Sequence, residues 1–193
     1  MNPMRHLPNL ITAARLILTS LLAVLLMFVE EEKKGLAVLC CLLFTIAAVT
    51  DLLDGYVARR YGAVSTLGKL LDPLADKLLV TTALIMLIPL NRLPAWIALL
   101  ILSRELLVTG LRGIASSAGI VVAASGLGKI KSITQYVGLG ILIFPLGVLP
   151  IPFLHHLGLF LVYIALVLTL WSGADYFYRL RRVFLAEEDS NQA

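Results

Sequence analysis

Long apolar runs broken by short charged or proline-bearing stretches set the rhythm of this chain. Read against the roughly 20 residues a helix needs to cross a hydrocarbon core, they predict six helices, over 9–29, 36–59, 66–90, 94–118, 131–149 and 153–176. Pro8 and Asn9 mark the entry to the first, and the EEEKK run at 30–34 is a solvated turn. Prolines punctuate the connections at 89–94 and 150–152, and small residues break up 117–132. Pro73 lies near the start of the third helix, where the early amides have no carbonyl partner; Ser65 or Thr66 is placed to cap that start.

With 60% hydrophobic and 15% charged residues among 193, the chain is too apolar for a soluble domain of this length. The expected fold is all-α, an integral membrane bundle of six transmembrane helices, with one domain over 1–182 and a polar tail over 183–193 that ends disordered. The first apolar run is long and lacks a small-residue cleavage site, so it reads as a retained helix, not a signal peptide. Arg5, Arg59, Arg60, Lys69, Lys129, Lys131, Arg179, Arg181 and Arg182 fall on the side of the termini, against Lys33, Lys34 and Arg92 on the other. The excess of cations places both termini in the cytosol. A formal charge of +4 spread this way suits anionic lipid head groups and gives no sign of nucleic acid. Cys40 and Cys41 are adjacent in an apolar run and suit neither a disulfide nor a metal site. His155 and His156 fall in the last turn, away from the acids.

Those acids are concentrated in one stretch, DLLDGYVARRYGAVSTLGKLLDPLADK, from Asp51 to Lys77. Asp51, Asp54, Gly55 and Ala58 share one helical face by their spacing, and Gly68, Asp72 and Asp76 share another. Two such stripes facing each other bring four carboxylates together. Each like-charged pair at about 4 Å then costs roughly 4 kcal/mol at an effective dielectric near 20, so the cluster has to protonate or hold cations. All-oxygen ligation suits Mg²⁺ or Mn²⁺ and not zinc. Gly55, Ala58 and Gly68 leave room beside the acids, and Arg59 supplies a fork-shaped donor for phosphate. Together they describe a diphosphate site at the cytosolic end of the bundle. Helix caps would need no such spacing, and acids at membrane depth are functional by default.

The pattern D-x2-D-G-x2-A-R-x8-G-x3-D-x3-D, met at every fixed position, resembles the signature of the CDP-alcohol phosphatidyltransferases. The resemblance implies that Asp51, Asp54, Asp72 and Asp76 ligate a pair of divalent metals and that Asp76 is the general base. It implies that Gly55, Ala58 and Arg59, with Gly68 beside them and Ser65 in the connecting loop, hold the CDP part of the donor. It further implies a homodimer in the cell membrane, and CDP-diacylglycerol as donor.

The PN-x2-T-x2-R opening, the SRELLVTGLRG stretch and the GKIKS-x2-Q run resemble the branch of the family whose acceptor is sn-glycerol 3-phosphate; inositol phosphate and serine are the alternatives within the fold. A phosphorylated acceptor needs cations, and Arg112, Lys129, Lys131 and Arg179 supply them, unless the lysines are simple cytosolic anchors. Asn9, Thr12 and Arg15 belong to the opening that relatives share, and Arg15 either snorkels to the head groups or leans into the acid site. Arg104 and Thr109 either join the acceptor site or, with Glu105, tie helices together. Outside the family, an intramembrane prenyltransferase would need no Gly-x2-Ala-Arg between its acids. A divalent-cation transporter would spread acids through the membrane depth.

Overall fold

A computed structural model describes the backbone of residues 7–30, 33–61, 66–117, 127–145, 147–149, 151 and 153–191, and the side chains of 12–30, 33–51, 74–75, 77–117, 130–145, 147–149, 151 and 153–181. Among these residues there are six helices and no strand: α1 (Leu7–Leu26), α2 (Lys34–Tyr61), α3 (Thr66–Leu87), α4 (Ala95–Ser117), α5 (Leu127–Ile143) and α6 (Leu154–Asn191). The all-α class and the number of helices agree with the apolar rhythm of the sequence. Two windows, Lys34–Asp51 and Leu154–Arg181, are long and apolar enough to cross a membrane.

Buried positions recur at helical spacing, as in Ala37, Cys40, Phe44 and Ala47 on α2 and Leu79, Ala83 and Leu87 on α3. The outward faces are apolar as well: Met27, Leu99, Leu106, Leu107, Val167 and Trp171 are all exposed. A helix that is apolar all round belongs in a core or in lipid. The helices α1, α2 and α3 pack together, α5 lies along α6, and α5 also touches α2 and α3, while α4 joins α3 to α6.

Small residues set the closest approach. A methyl group at Gly138 would stand 2.9 Å from Val162 Cγ2, and one at Gly158 2.9 Å from Ile141 Cγ2, so α5 and α6 touch through glycine. Such contacts dominate helix packing where no hydrophobic drive separates core from surroundings.

Helix ends depart from the expected ones for local reasons. α5 stops at Ile143, not 149, because Pro145 removes an amide and pushes its predecessor out of the helical region. The carbonyls freed there are taken by Arg92, whose Nη1 donates to Leu142 O at 3.1 Å and Ile143 O at 2.9 Å. Arg92, counted from the sequence among the charges on the side opposite the termini, is buried as a cap on α5. α3 ends at Leu87, and the turn after it carries Asn91 in the left-handed region (φ 54°), with Arg92 N–H donating to Leu87 O. His155 and His156 lie in the first turn of α6. That helix runs to Asn191, through residues expected to be disordered, on the good helix formers of FLAEE.

Candidate functional site

Asp51 lies in the third-last turn of α2, and both of its carboxylate oxygens are engaged by other helices. Arg15 Nη1 on α1 sits 2.7 Å from Oδ1, and the Tyr136 hydroxyl on α5 donates to Oδ2 at 3.1 Å. Arg15 is 1% exposed, and Thr12, one turn before it, is fully buried. Arg15 therefore points into the bundle toward the acids and does not snorkel. An ionised carboxylate offers about four lone-pair positions, and Arg15 and Tyr136 are among the groups that orient this one.

A second polar cluster centres on Glu105 of α4. Its Oε1 takes Arg104 Nη1 at 3.0 Å and the ammonium of Lys131 from α5. Arg104 continues through Nη2 to Ser172 Oγ on α6 at 2.7 Å, passing over Gly173, where a methyl group would lie 2.9 Å from its Nε. Lys77 of α3 donates to Thr109 Oγ1, one turn along α4, and Thr109 in turn donates to Glu105 O at 2.6 Å. The Glu105 carboxylate thus ties α4 to α5 and, through Arg104, to α6, while its backbone carbonyl is linked through Thr109 to α3. Beside it, a cavity of about 220 Å³ between α3, α4 and α5 is lined by Lys77, Lys131 and Gln135 among others. Tyr136 lines this cavity too and so connects it to Asp51.

The sequence pattern of the CDP-alcohol phosphatidyltransferase family matches residues 5–171, which include every helix-borne acid of the Asp51 to Asp76 stretch. The chain belongs to the CDP-alcohol phosphatidyltransferase family. A Bacillus subtilis protein named CDP-diacylglycerol–glycerol-3-phosphate 3-phosphatidyltransferase is 40% identical over 186 residues, covering 90% of this chain and 94% of the relative. A Rickettsia typhi protein of the same name is 38% identical, over 94% of this chain and all of its own length. A Mycobacterium tuberculosis (strain H37Rv) protein named probable phosphatidylglycerophosphate synthase is 36% identical, over 92% of this chain and 82% of its own.

For a CDP-alcohol phosphatidyltransferase, the helix-borne positions of the signature fall on two helices. α2 carries Asp51, Asp54, Gly55, Ala58 and Arg59, α3 carries Gly68, Asp72 and Asp76, and the two helices pack together. Of these residues only Asp51 has a side chain within the described set; those of the others, and of Asn9 and Lys129, lie outside it, as does Ser65 altogether. Three of the four cations expected to meet the acceptor are among the described side chains, and these have other partners: Lys131 holds Glu105, the Arg112 guanidinium lies 5.8 Å over the Tyr176 ring, and Arg179 Nε is 3.0 Å from Asp175 Oδ2.

Three residues of this arrangement, Tyr136, Lys77 and Ser172, carried no signal of their own in the sequence, while Gln135 entered only as part of a motif. Tyr136 is one aromatic in an apolar helix, and Lys77 reads as the charge that ends the acidic stretch. Gln135 closes the GKIKS-x2-Q run, and Ser172 sits among small residues of α6. The only hint was position: Lys77 follows Asp76, and Gln135 lies one turn beyond Lys131.

Proposed function

We propose that the protein transfers the phosphatidyl group of CDP-diacylglycerol to sn-glycerol 3-phosphate, giving phosphatidylglycerophosphate and CMP. The observation that carries this reading is the similarity, over nine-tenths of the chain and nearly all of the Bacillus relative, to an enzyme named for that reaction. In this reading the protein is a six-span homodimer of the cell membrane with both termini and the acid site facing the cytosol. The apolar outer faces of the helices support a lipid surrounding.

Asp51, Asp54, Asp72 and Asp76 would hold two Mg²⁺ or Mn²⁺ ions, and the all-oxygen donor set fits them. When bound, the ions neutralise the diphosphate and the departing nucleotide. Gly55, Ala58, Gly68, Ser65 and Arg59 receive the CDP part, Arg59 adding charge compensation. Asp76 accepts the proton of the acceptor hydroxyl. The freed oxygen attacks the phosphorus that carries diacylglycerol, a new P–O bond forms, and the bond to CMP breaks with the electron pair leaving on CMP. Arg112, Lys129, Lys131 and Arg179 hold the acceptor phosphate. Positioning and charge stabilisation do most of the work, as is usual in phosphoryl transfer.

The test is CMP release by purified protein from CDP-diacylglycerol, with glycerol 3-phosphate, inositol phosphate and serine offered separately. Release with glycerol 3-phosphate alone is expected, abolished by excess EDTA and restored by Mg²⁺ or Mn²⁺. Turnover on another acceptor only would move the protein within the family, and full activity in EDTA would remove the metal site.

A further inference from the structure

The cavity between α3, α4 and α5 contains one feature that the ion pairs beside it do not explain. Gln135 is 3% exposed and lines the cavity, and its Nε2 is buried without a hydrogen-bond partner. A buried amide nitrogen left unpaired is costly and rare in a folded chain. Lys77, Thr81 and Lys131 line the same cavity, the two ammonium groups donating to Thr109 and Glu105. The carboxylate of Glu105 is already taken by Arg104 and Lys131. At about 220 Å³ the space is below the roughly 300–1,000 Å³ typical of drug-sized ligands. With Val80, Leu102 and Leu106 in its wall, it suits a small molecule with a short carbon skeleton and a hydroxyl group.

Its position links it to the chemistry. Tyr136, next to Gln135, lines the cavity while its hydroxyl donates to Asp51, and Lys77 directly follows Asp76 on α3. We infer that this cavity receives the polyol part of the acceptor and that the Gln135 amide donates to the acceptor's secondary hydroxyl, making Gln135 a specificity residue. The inference rests on the reading of glycerol 3-phosphate as acceptor and names the group that recognises its carbon skeleton.

Two acceptors that differ by one group separate the possibilities. In mixed micelles with CDP-diacylglycerol, sn-glycerol 3-phosphate is compared with 3-hydroxypropyl phosphate, which lacks only the secondary hydroxyl. The wild-type chain is expected to favour glycerol 3-phosphate by roughly tenfold or more in kcat/KM, the scale of leaving a buried donor unmet. In Gln135→Met, which keeps the length and shape of the side chain, the preference should fall close to unity. The kcat/KM for glycerol 3-phosphate should fall by a larger factor than that for 3-hydroxypropyl phosphate, whereas general damage to the helix packing would lower the two alike. Gln135→Asn withdraws the amide by one methylene and should lose the preference as well, so it carries the test if the methionine variant does not fold. An undiminished preference in the variants, or a wild-type chain indifferent to the hydroxyl, would overturn the inference while leaving the acceptor reading intact. A wild-type chain that does not use glycerol 3-phosphate at all would sink the acceptor reading itself, and this inference with it.

Discussion

A guanidinium taken out of water near the start of an apolar helix has to find an anion, and Arg15 finds Asp51 on the next helix at 2.7 Å. Breaking one side of a buried pair leaves an uncompensated charge at a cost of about 3–5 kcal/mol, whereas neutralising both sides costs less. Arg15→Met should therefore lower the melting temperature in detergent sharply. Asp51→Asn should lower it too, and the double variant should lose less than the sum, with a coupling of about 0.5–3 kcal/mol. Strict additivity would show that the pair is not formed in the folded protein. The acids themselves were legible because their spacing is local, four charges at helical intervals within 26 residues, from Asp51 to Asp76. The partners of Asp51 were not, since Arg15 and Tyr136 stand 36 and 85 residues away in sequence and only packing brings them in. For the same reason the sequence could not decide between snorkelling and an inward turn for Arg15. Position in a run says how deep a side chain starts, not which neighbour it meets.

At the scale of elements, α5 and α6 form a pair whose spacing is set by Gly138 and Gly158. A methyl group at Gly138 would also lie 3.1 Å from the backbone oxygen of Gly158, and a backbone atom cannot step aside as a side chain can. Gly138→Ala is expected to destabilise by about 1–3 kcal/mol through overpacking, even though alanine is the better helix former. Gly110 on α4 has nothing within 4 Å of such a methyl group. There the propensity gain acts alone, and Gly110→Ala should stabilise by up to about 1 kcal/mol. Thermal unfolding of the two variants in the same detergent checks the opposite signs; equal effects would mean that the helices are not in contact through Gly138. The helices were readable as apolar runs, and their ends less so. Pro145 stops α5 earlier than its apolar run suggests, and the hydrophobic pattern continues past the break because the loop after it is apolar too, with Val148, Leu149 and Ile151 exposed. At the other end, α6 outlasts its apolar run, since helix propensity carries a backbone on after hydrophobicity has ended.

For the whole molecule the open quantity is how the bundle sits in the bilayer, and α5 is the span on which this turns. At 17 residues it is about 26 Å long, short of the roughly 30 Å hydrocarbon core, and it carries the buried Lys131. Three observations favour a crossing. Lys131 is neutralised by Glu105, the apolar residues after Pro145 extend the hydrophobic length, and α5 packs lengthwise on α6, one of the two helices long and apolar enough to cross a membrane. Arg92 and Lys34 fix the far end, the first on the last carbonyls of α5 and the second on Gly147 O at 3.4 Å, so the start of α2, the α3–α4 connection and the end of α5 share one side. If α5 crosses, Ser117 at the end of α4 and Val148 after α5 lie on opposite faces of the membrane. In a chain carrying Cys40→Ala and Cys41→Ala, a single cysteine at each exposed position reports this through a membrane-impermeant maleimide. Val148→Cys should label on intact cells, and Ser117→Cys only after the membrane is opened, with the basic helix ends and the acid site on the cytosolic side. Labelling of both from the same side would reduce α5 to a re-entrant helix. Labelling of Ser117→Cys alone on intact cells would turn the whole bundle over and put Asp51 out of reach of a cytosolic acceptor.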